Sequence, residues 1–252
     1  MNRKSSIDIN CDMGESFGRW NMGNDKALLP FITSANIACG YHAGDPLTML
    51  DTVQSALKYN VHIGAHPGFQ DLEGFGRRSM HLSPREIYGL VVYQVGALAA
   101  CAKTLKADLH HVKPHGALYN IAAREPAVAD AIVNAIFDID SNLILYGLSG
   151  SELIYSAKRK GLNVYSEVFA DRTYQHDGTL TPRTEENSII KEDKEAINQI
   201  LHILLKGKVK SVQGQEVDIQ ADTICIHGDN PNALEFATMI TEALKTHEIE
   251  IK

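Results

Sequence analysis

Short apolar stretches that end in polar residues alternate along this chain with longer stretches of helical spacing. Six of the former cover residues 7–12, 36–42, 61–66, 111–115, 164–171 and 223–229. Side chains of a strand point alternately to two faces. In the first stretch Ile7, Ile9 and Cys11 share one face, and Asp8, Asn10 and Asp12 share the other. In the third, Val61, Ile63 and Ala65 oppose His62, Gly64 and His66. In the last, Ile224 and Ile226 oppose Thr223, Cys225, His227 and Asp229. Each strand thus has an oily back and a polar front that becomes more polar toward its C-terminal end.

Helices are expected between these strands. Asp45 can cap a helix over 46–59 with Pro46 in its first turn, and Leu47, Leu50, Val53, Ala56 and Leu57 have the spacing of its buried face. Ser83-Pro-Arg-Glu86 is a capping-box pattern that opens a helix reaching about Leu105. Further helices are expected over 125–137, 149–160, 191–205 and 232–245, and a further strand over 142–146. About seven strands, nearly all followed by helices, make a parallel sheet with right-handed crossovers. An open doubly wound sheet would bury both strand faces and call for continuous apolar runs. One polar face in strand after strand favours a closed barrel. The expectation is an α/β protein, a single (β/α) barrel domain over 1–252 of about seven parallel strands, with its polar site at their C-terminal ends. A small hairpin around Gln213-Gly214, at about 208–220, interrupts the order before the last core strand.

Composition narrows the classes. With 44% hydrophobic and 22% charged residues the chain reads as an ordinary globular protein. Its net charge of −7 argues against nucleic acid as a partner. No apolar run approaches the roughly 20 residues of a membrane helix, so no membrane is expected. The cysteines Cys11, Cys39, Cys101 and Cys225 are far apart and form no Cys-x-x-Cys pair, which argues against a thiolate zinc site. A reduced, cytoplasmic setting is the expectation.

The candidate chemistry sits at the strand ends. Asp12, with Asn10 and Glu15 nearby, faces the barrel interior, where a carboxylate must be paired, hydrogen-bonded or metal-bound. His42, His66, His115 and His227 occupy equivalent positions, and Asp45 and Asp229 adjoin two of them. Pro114 pushes Lys113 toward extended geometry, and the ammonium can steady an oxyanion or pair with Asp12. Arg172, at the end of its strand, suits an anion, and Gly74-Phe-Gly-Arg-Arg78 suggests a lid that brings a second arginine. A divalent metal stays open but no ligand is assigned, since no pair among these four histidines has His-x-x-x-His spacing and neutral imidazoles can equally bind a carboxylate. The phosphate-loop, dinucleotide and nucleophile-elbow patterns are missing, so neither a P-loop ATPase nor a serine hydrolase is supported.

Asp8-Ile-Asn-Cys-Asp-Met-Gly-Glu15, Asn36-Ile-Ala-Cys-Gly-Tyr-His-Ala-Gly-Asp45, Gly64-Ala-His-Pro-Gly68, Gly74-Phe-Gly-Arg-Arg78, Lys113-Pro-His-Gly-Ala-Leu-Tyr-Asn120, Glu167-Val-Phe-Ala-Asp-Arg-Thr-Tyr174 and Ile226-His-Gly-Asp229 together resemble the LamB/YcsF family. The resemblance runs in order over nearly the whole chain. It implies a barrel related to glycoside hydrolases and polysaccharide deacetylases. It also implies ATP-dependent opening of the lactam 5-oxo-L-proline to L-glutamate, with ATP as co-substrate and 5-oxoprolinase subunits B and C as partners. Such a reaction needs a base for water, a proton donor for the ring nitrogen and cations for anionic groups. On that view Asp12 or His66 is the base, Lys113 the electrostatic stabiliser and His115 the proton donor. Asn10, Glu15, His42, Asp45, Arg172, His227 and Asp229 would bind substrate. A Lys113→Met change would remove activity and keep the fold. The rival readings are a metal-dependent amide hydrolase or carbohydrate deacetylase, and a subunit that binds substrate without reacting it.

Overall fold

The computed structural model describes residues 5–226 and 233–252. Strand β1 (Ser6–Met13) leads through a short helix α1 (Asp25–Leu28) to β2 (Ser34–Ala38). There follow α2 (Pro46–Lys58), β3 (His62–His66), α3 (Pro84–Thr104) and a two-residue β4 (His111–Val112). Helices α4 (Gly116–Ala122) and α5 (Pro126–Ile139) precede β5 (Ile144–Leu148), and α6 (Glu152–Lys160) precedes β6 (Asn163–Phe169). Helix α7 (Asp193–Lys206) leads to an antiparallel hairpin, β7 (Lys208–Lys210) and β8 (Glu216–Asp218), before β9 (Thr223–Ile226). Helix α8 (Ala233–Thr246) and β10 (Glu250–Ile251) follow.

The barrel closes. Strands β1, β2, β3, β4, β5, β6 and β9 pair in that order, each parallel to the next, and β9 returns to β1. That makes seven parallel strands with helices outside, the arrangement that one polar face per strand predicts. Register confirms the parity. Ile9 lies beside Ile224, both fully buried against the helices, while Asn10 lies beside Cys225 on the inner face. Strand β10, too short for any alternation to reveal, extends the sheet by pairing Ser6 with Glu250 and Ile7 with Ile251.

Local rules account for the helices. Asp45 Oδ1 accepts from the backbone N–H groups of Leu47 and Thr48, and Ser83 with Glu86 forms the reciprocal capping box. The buried side of α2 is Met49, Thr52, Val53 and Ala56. Leu47, expected on that face, is 72% exposed: its spacing identified an apolar stripe, but the stripe that faces the barrel is centred one step around the helix. Helix α3, at 21 residues, is long and apolar enough by length and composition to cross a membrane. Here it buries Ile87, Val91, Val95 and Leu98 and packs on α5 and β3, as a core helix does.

Candidate active site

Inward side chains of β1 climb the barrel axis in three layers. At the bottom the Asp8 carboxylate accepts hydrogen bonds from the hydroxyls of Thr33 (2.6 Å), Ser34 (2.7 Å) and Thr223. Burial pushes the Asp8 pKa up, and these donors offset part of that push. In the middle layer Asn36 Nδ2 donates to Asn10 Oδ1 at 2.7 Å, and His111 Nε2 donates to Asn36 Oδ1 at 2.8 Å. Gly64 makes room for this layer, because a Cβ there would overlap the His111 ring.

The top layer is charged. Lys113 Nζ lies 2.9 Å from Asp12 Oδ1, 2.8 Å from Glu167 Oε1 and 3.1 Å from Asn10 Oδ1. Burial opposes its charge, but Asp12 and Glu167 outweigh burial and hold the ammonium well above the ordinary lysine pKa. It is a fixed cation. Glu167, fully buried, also accepts from the Tyr119 hydroxyl at 2.6 Å. Asn36 Nδ2 reaches Asp12 Oδ1 at 2.8 Å, and Asp12 Oδ2 stands 3.3 Å from His66 Nε2.

Beside this lie three imidazoles. His66 Nδ1 donates to the Lys113 carbonyl at 2.7 Å, and His115 Nε2 donates to the Phe75 carbonyl at 2.8 Å. The His42 ring stacks on His115 with centroids 3.7 Å apart, and its Nε2 lies 3.4 Å from Glu15 Oε1. Burial, then the neighbouring imidazoles, depresses His42 well below the ordinary histidine pKa and takes His115 down to about 3. Both rings are neutral at pH 7.

The loop over 71–78 holds these rings in place. Asp71 Oδ1 accepts from the Gly74 backbone and from Arg78 Nε, which ties the loop into a knot. Phe75 adopts φ 53°, a left-handed conformation that costs a non-glycine residue about 1–3 kcal/mol. In return its carbonyl meets His115 and its ring sets an edge against His42 and His115. Gly76 follows at φ 63°, and a Cβ there would lie 2.7 Å from His42 Cβ. Arg78, expected from sequence as a lid residue, is bound to Asp71, while Arg77 lines the cavity and lies over the Phe75 ring at 4.9 Å.

A cavity of about 920 Å³ opens above this layer, lined among others by Asp12, Glu15, His66, Lys113, His115 and Arg172. The structure therefore gathers Asp12, Glu15, His42, His66, Lys113 and His115 at one point. Asn10 sits a layer lower, beneath Lys113. Arg172 reaches the cavity wall, where it donates to the Ser188 and Thr181 carbonyls, and burial takes its pKa down to about 10. Asp45 is placed elsewhere: its two oxygens cap α2 and accept from the Gly18 backbone. His227 and Asp229 lie outside the described residues. Sequence reasoning missed Glu167, Asn36 and Phe75. Strand parity marks Glu167, since it pairs with inward-facing Thr223.

A closed parallel (β/α) barrel with one carboxylate–lysine–imidazole pocket at its C-terminal strand ends defines the class. The chain belongs to the LamB/YcsF family, whose model matches residues 7–252. Two relatives named as the A subunit of 5-oxoprolinase, from Tolumonas auensis and Bacillus cereus, are 56% and 54% identical to it. The first alignment covers 98% of this chain and 99% of the relative, the second 98% of each. A solved structure, the lactam utilization protein from Thermus thermophilus, is 45% identical with a TM-score of 0.92, covering 98% of this chain and 99% of that one. A putative cellobiose-phosphate cleavage protein from Enterococcus faecalis, 12% identical over 99% of this chain and 97% of its own, shares the fold at a TM-score of 0.61.

Proposed function

We propose that this chain is the A subunit of an ATP-dependent 5-oxoprolinase, a hydrolase that opens the cyclic amide of 5-oxo-L-proline to L-glutamate. The observation that carries the reading is the coincidence of two things. Whole-length relatives bear that name, and the residues of the family motifs converge on one pocket with a fixed cation beside a carboxylate and accepting imidazole nitrogens.

The geometry suits amide hydrolysis. A five-membered lactam is a stable amide with a poor nitrogen leaving group, so both the carbonyl oxygen and the nitrogen need help. Lys113, held charged by Asp12 and Glu167, stabilises negative charge on the oxygen. Asp12 Oδ2 or His66 Nε2 takes the proton from water; His66 is set up for this because its other nitrogen donates to the Lys113 carbonyl. His115 faces the pocket through Nδ1, which in this tautomer accepts, so it donates to the leaving nitrogen only after gaining the proton that water gives up. Arg172 and His227 orient the substrate's anionic groups. ATP enters with subunits B and C, in keeping with the missing phosphate-loop motif. The free, largely buried cysteines agree with a cytoplasmic setting.

The test is glutamate release from 5-oxoproline and ATP, measured with this chain alone and with the two candidate partners added. Turnover that requires all three chains supports the reading. Full turnover without this chain refutes it, as does deacetylation of an N-acetylated sugar by the chain alone.

A further inference from the structure

Four potential ligands reach one point from four separate strand ends. Glu15, His42, His66 and His115 are all buried, and their ligand atoms lie within 4.8 Å of one another. No short sequence spacing links them, which is why sequence alone assigned no ligand set.

Hydrogen bonding fixes which ring nitrogens face inward. A neutral imidazole carries one proton. His66 gives its proton to the Lys113 carbonyl through Nδ1, and His115 gives its own to the Phe75 carbonyl through Nε2. When both rings carry a single proton, His66 Nε2 and His115 Nδ1 therefore meet 2.9 Å apart with a lone pair on each. Two lone pairs in that position repel unless something positive joins them. His42 adds to the imbalance: it is 1% exposed, and neither of its nitrogens makes a hydrogen bond. Its Nδ1 faces Gly68, where a Cβ would come within 2.7 Å, and its Nε2 faces Glu15 Oε1. A shared proton would join His66 to His115 but leave His42 unbonded. A divalent cation accepts all three lone pairs and the carboxylate at once.

We infer that this cluster is a binding site for one divalent transition-metal ion of zinc's class, held by His42 Nε2, His66 Nε2, His115 Nδ1 and Glu15 Oε1. Three imidazoles and a carboxylate are borderline donors that suit zinc and its neighbours better than calcium or magnesium. The two carbonyls that orient His66 and His115 are the outer partners that metal-binding histidines ordinarily have. Bonds of about 2.0–2.1 Å set ligand atoms roughly 3.4 Å apart in a tetrahedral site. The His42–Glu15 separation of 3.4 Å already matches, and the His66–His115 pair opens by about half an ångström. Such an ion would polarise a carbonyl oxygen as a Lewis acid. With His66 and His115 both engaged as ligands, the base role falls to Asp12, which stands beside the cluster and passes the proton it takes from water to the leaving nitrogen in place of His115. That last assignment rests on the lactam reading; ion binding does not.

The experiment titrates the full chain, freed of metal by a chelator, with zinc and with cobalt(II). The expected result is one equivalent bound with a Kd of about 1 μM or tighter, with visible cobalt bands of a four-coordinate site. Glu15→Gln should weaken binding by at least about 100-fold with an unchanged circular dichroism spectrum, more than loss of an outer partner would. Histidine ¹⁵N resonances of the unaltered chain supply a second readout, and zinc should shift His66 Nε2 and His115 Nδ1 together. No saturable binding at about 100 μM metal overturns the proposal. So do unmoved histidine resonances, or a shared His66–His115 proton that zinc does not displace. Ion binding without glutamate formation in the three-chain assay would leave this site standing and remove the lactam reading instead.

Discussion

Replacing Lys113 by methionine takes away the ammonium that sits between Asp12 and Glu167. The sequence alone suggested that this change would end activity and spare the fold, and the structure argues otherwise. Glu167 is fully buried and Lys113 nearly so, with 2.8 Å between the charges. Removing one member of a buried pair costs about 3–5 kcal/mol, because the other charge remains desolvated without compensation. Against a total stability of about 5–15 kcal/mol, such a loss is large. Adding Glu167→Gln removes the stranded charge, and the glutamine carbonyl can still accept from the Tyr119 hydroxyl. The double variant should therefore recover about 2–3 kcal/mol relative to the sum of the two single changes. Guanidinium unfolding followed by far-ultraviolet circular dichroism measures the cycle; Trp20, 70% exposed, is a poor reporter of the barrel. The restored fold should remain inactive in the three-chain assay, which separates the lysine's structural part from its chemistry. A single-variant loss under about 1 kcal/mol, or additivity within about 0.5 kcal/mol, would refute the argument.

Three further outcomes are expected. His111 is buried and held neutral, mainly by burial, so its folded pKa lies well below the unfolded value of about 6.5. Below that pH the unfolded chain takes up a proton that the native chain refuses, and stability falls by about 1.4 kcal/mol per pH unit for this residue. His111→Gln should flatten the decline in urea midpoint from about pH 6.5 down to about pH 5, and an unchanged slope would count against the assignment. Gly76→Ala combines a left-handed φ with a Cβ 2.9 Å from His115 Cδ2. It should cost about 1–3 kcal/mol and lower Tm by at least about 2–4 °C; an unaltered Tm would mean the loop yields freely. Asp45→Asn preserves a good capping oxygen, while Asp45→Ala should lose about 1 kcal/mol. If capping is its whole role, the asparagine variant keeps the KM for 5-oxoproline, and a rise of about tenfold or more would return Asp45 to the substrate's partners.

The three polar side chains of β1 were readable because a barrel strand has one wet face and one dry face, and period two separates Asp8, Asn10 and Asp12 from Ile7, Ile9 and Cys11. Helix α2 was harder. Its apolar residues spread over more than the stripe it buries, so Leu47 looked internal until the direction of the barrel was known. Glu167 stands within a family motif but was passed over, since a lone carboxylate within β6 gives no hint of its partner until β6 is set beside β9. The cluster of His42, His66 and His115 was legible as three of four similar positions. Its proton arrangement was not, because that depends on the Lys113 and Phe75 carbonyls, which only the folded chain brings to His66 and His115.

The layer of hydroxyls around Asp8 has a consequence for traffic. Asp8, Ser34, Tyr146 and Thr223 fill the lower barrel, each almost wholly shielded from solvent, so the vessel is stoppered at that end. Among the described residues the cavity lies above Lys113, on the side of the C-terminal strand rim. A neighbouring protein seated over that rim would govern arrival and departure together, without touching a single reacting atom.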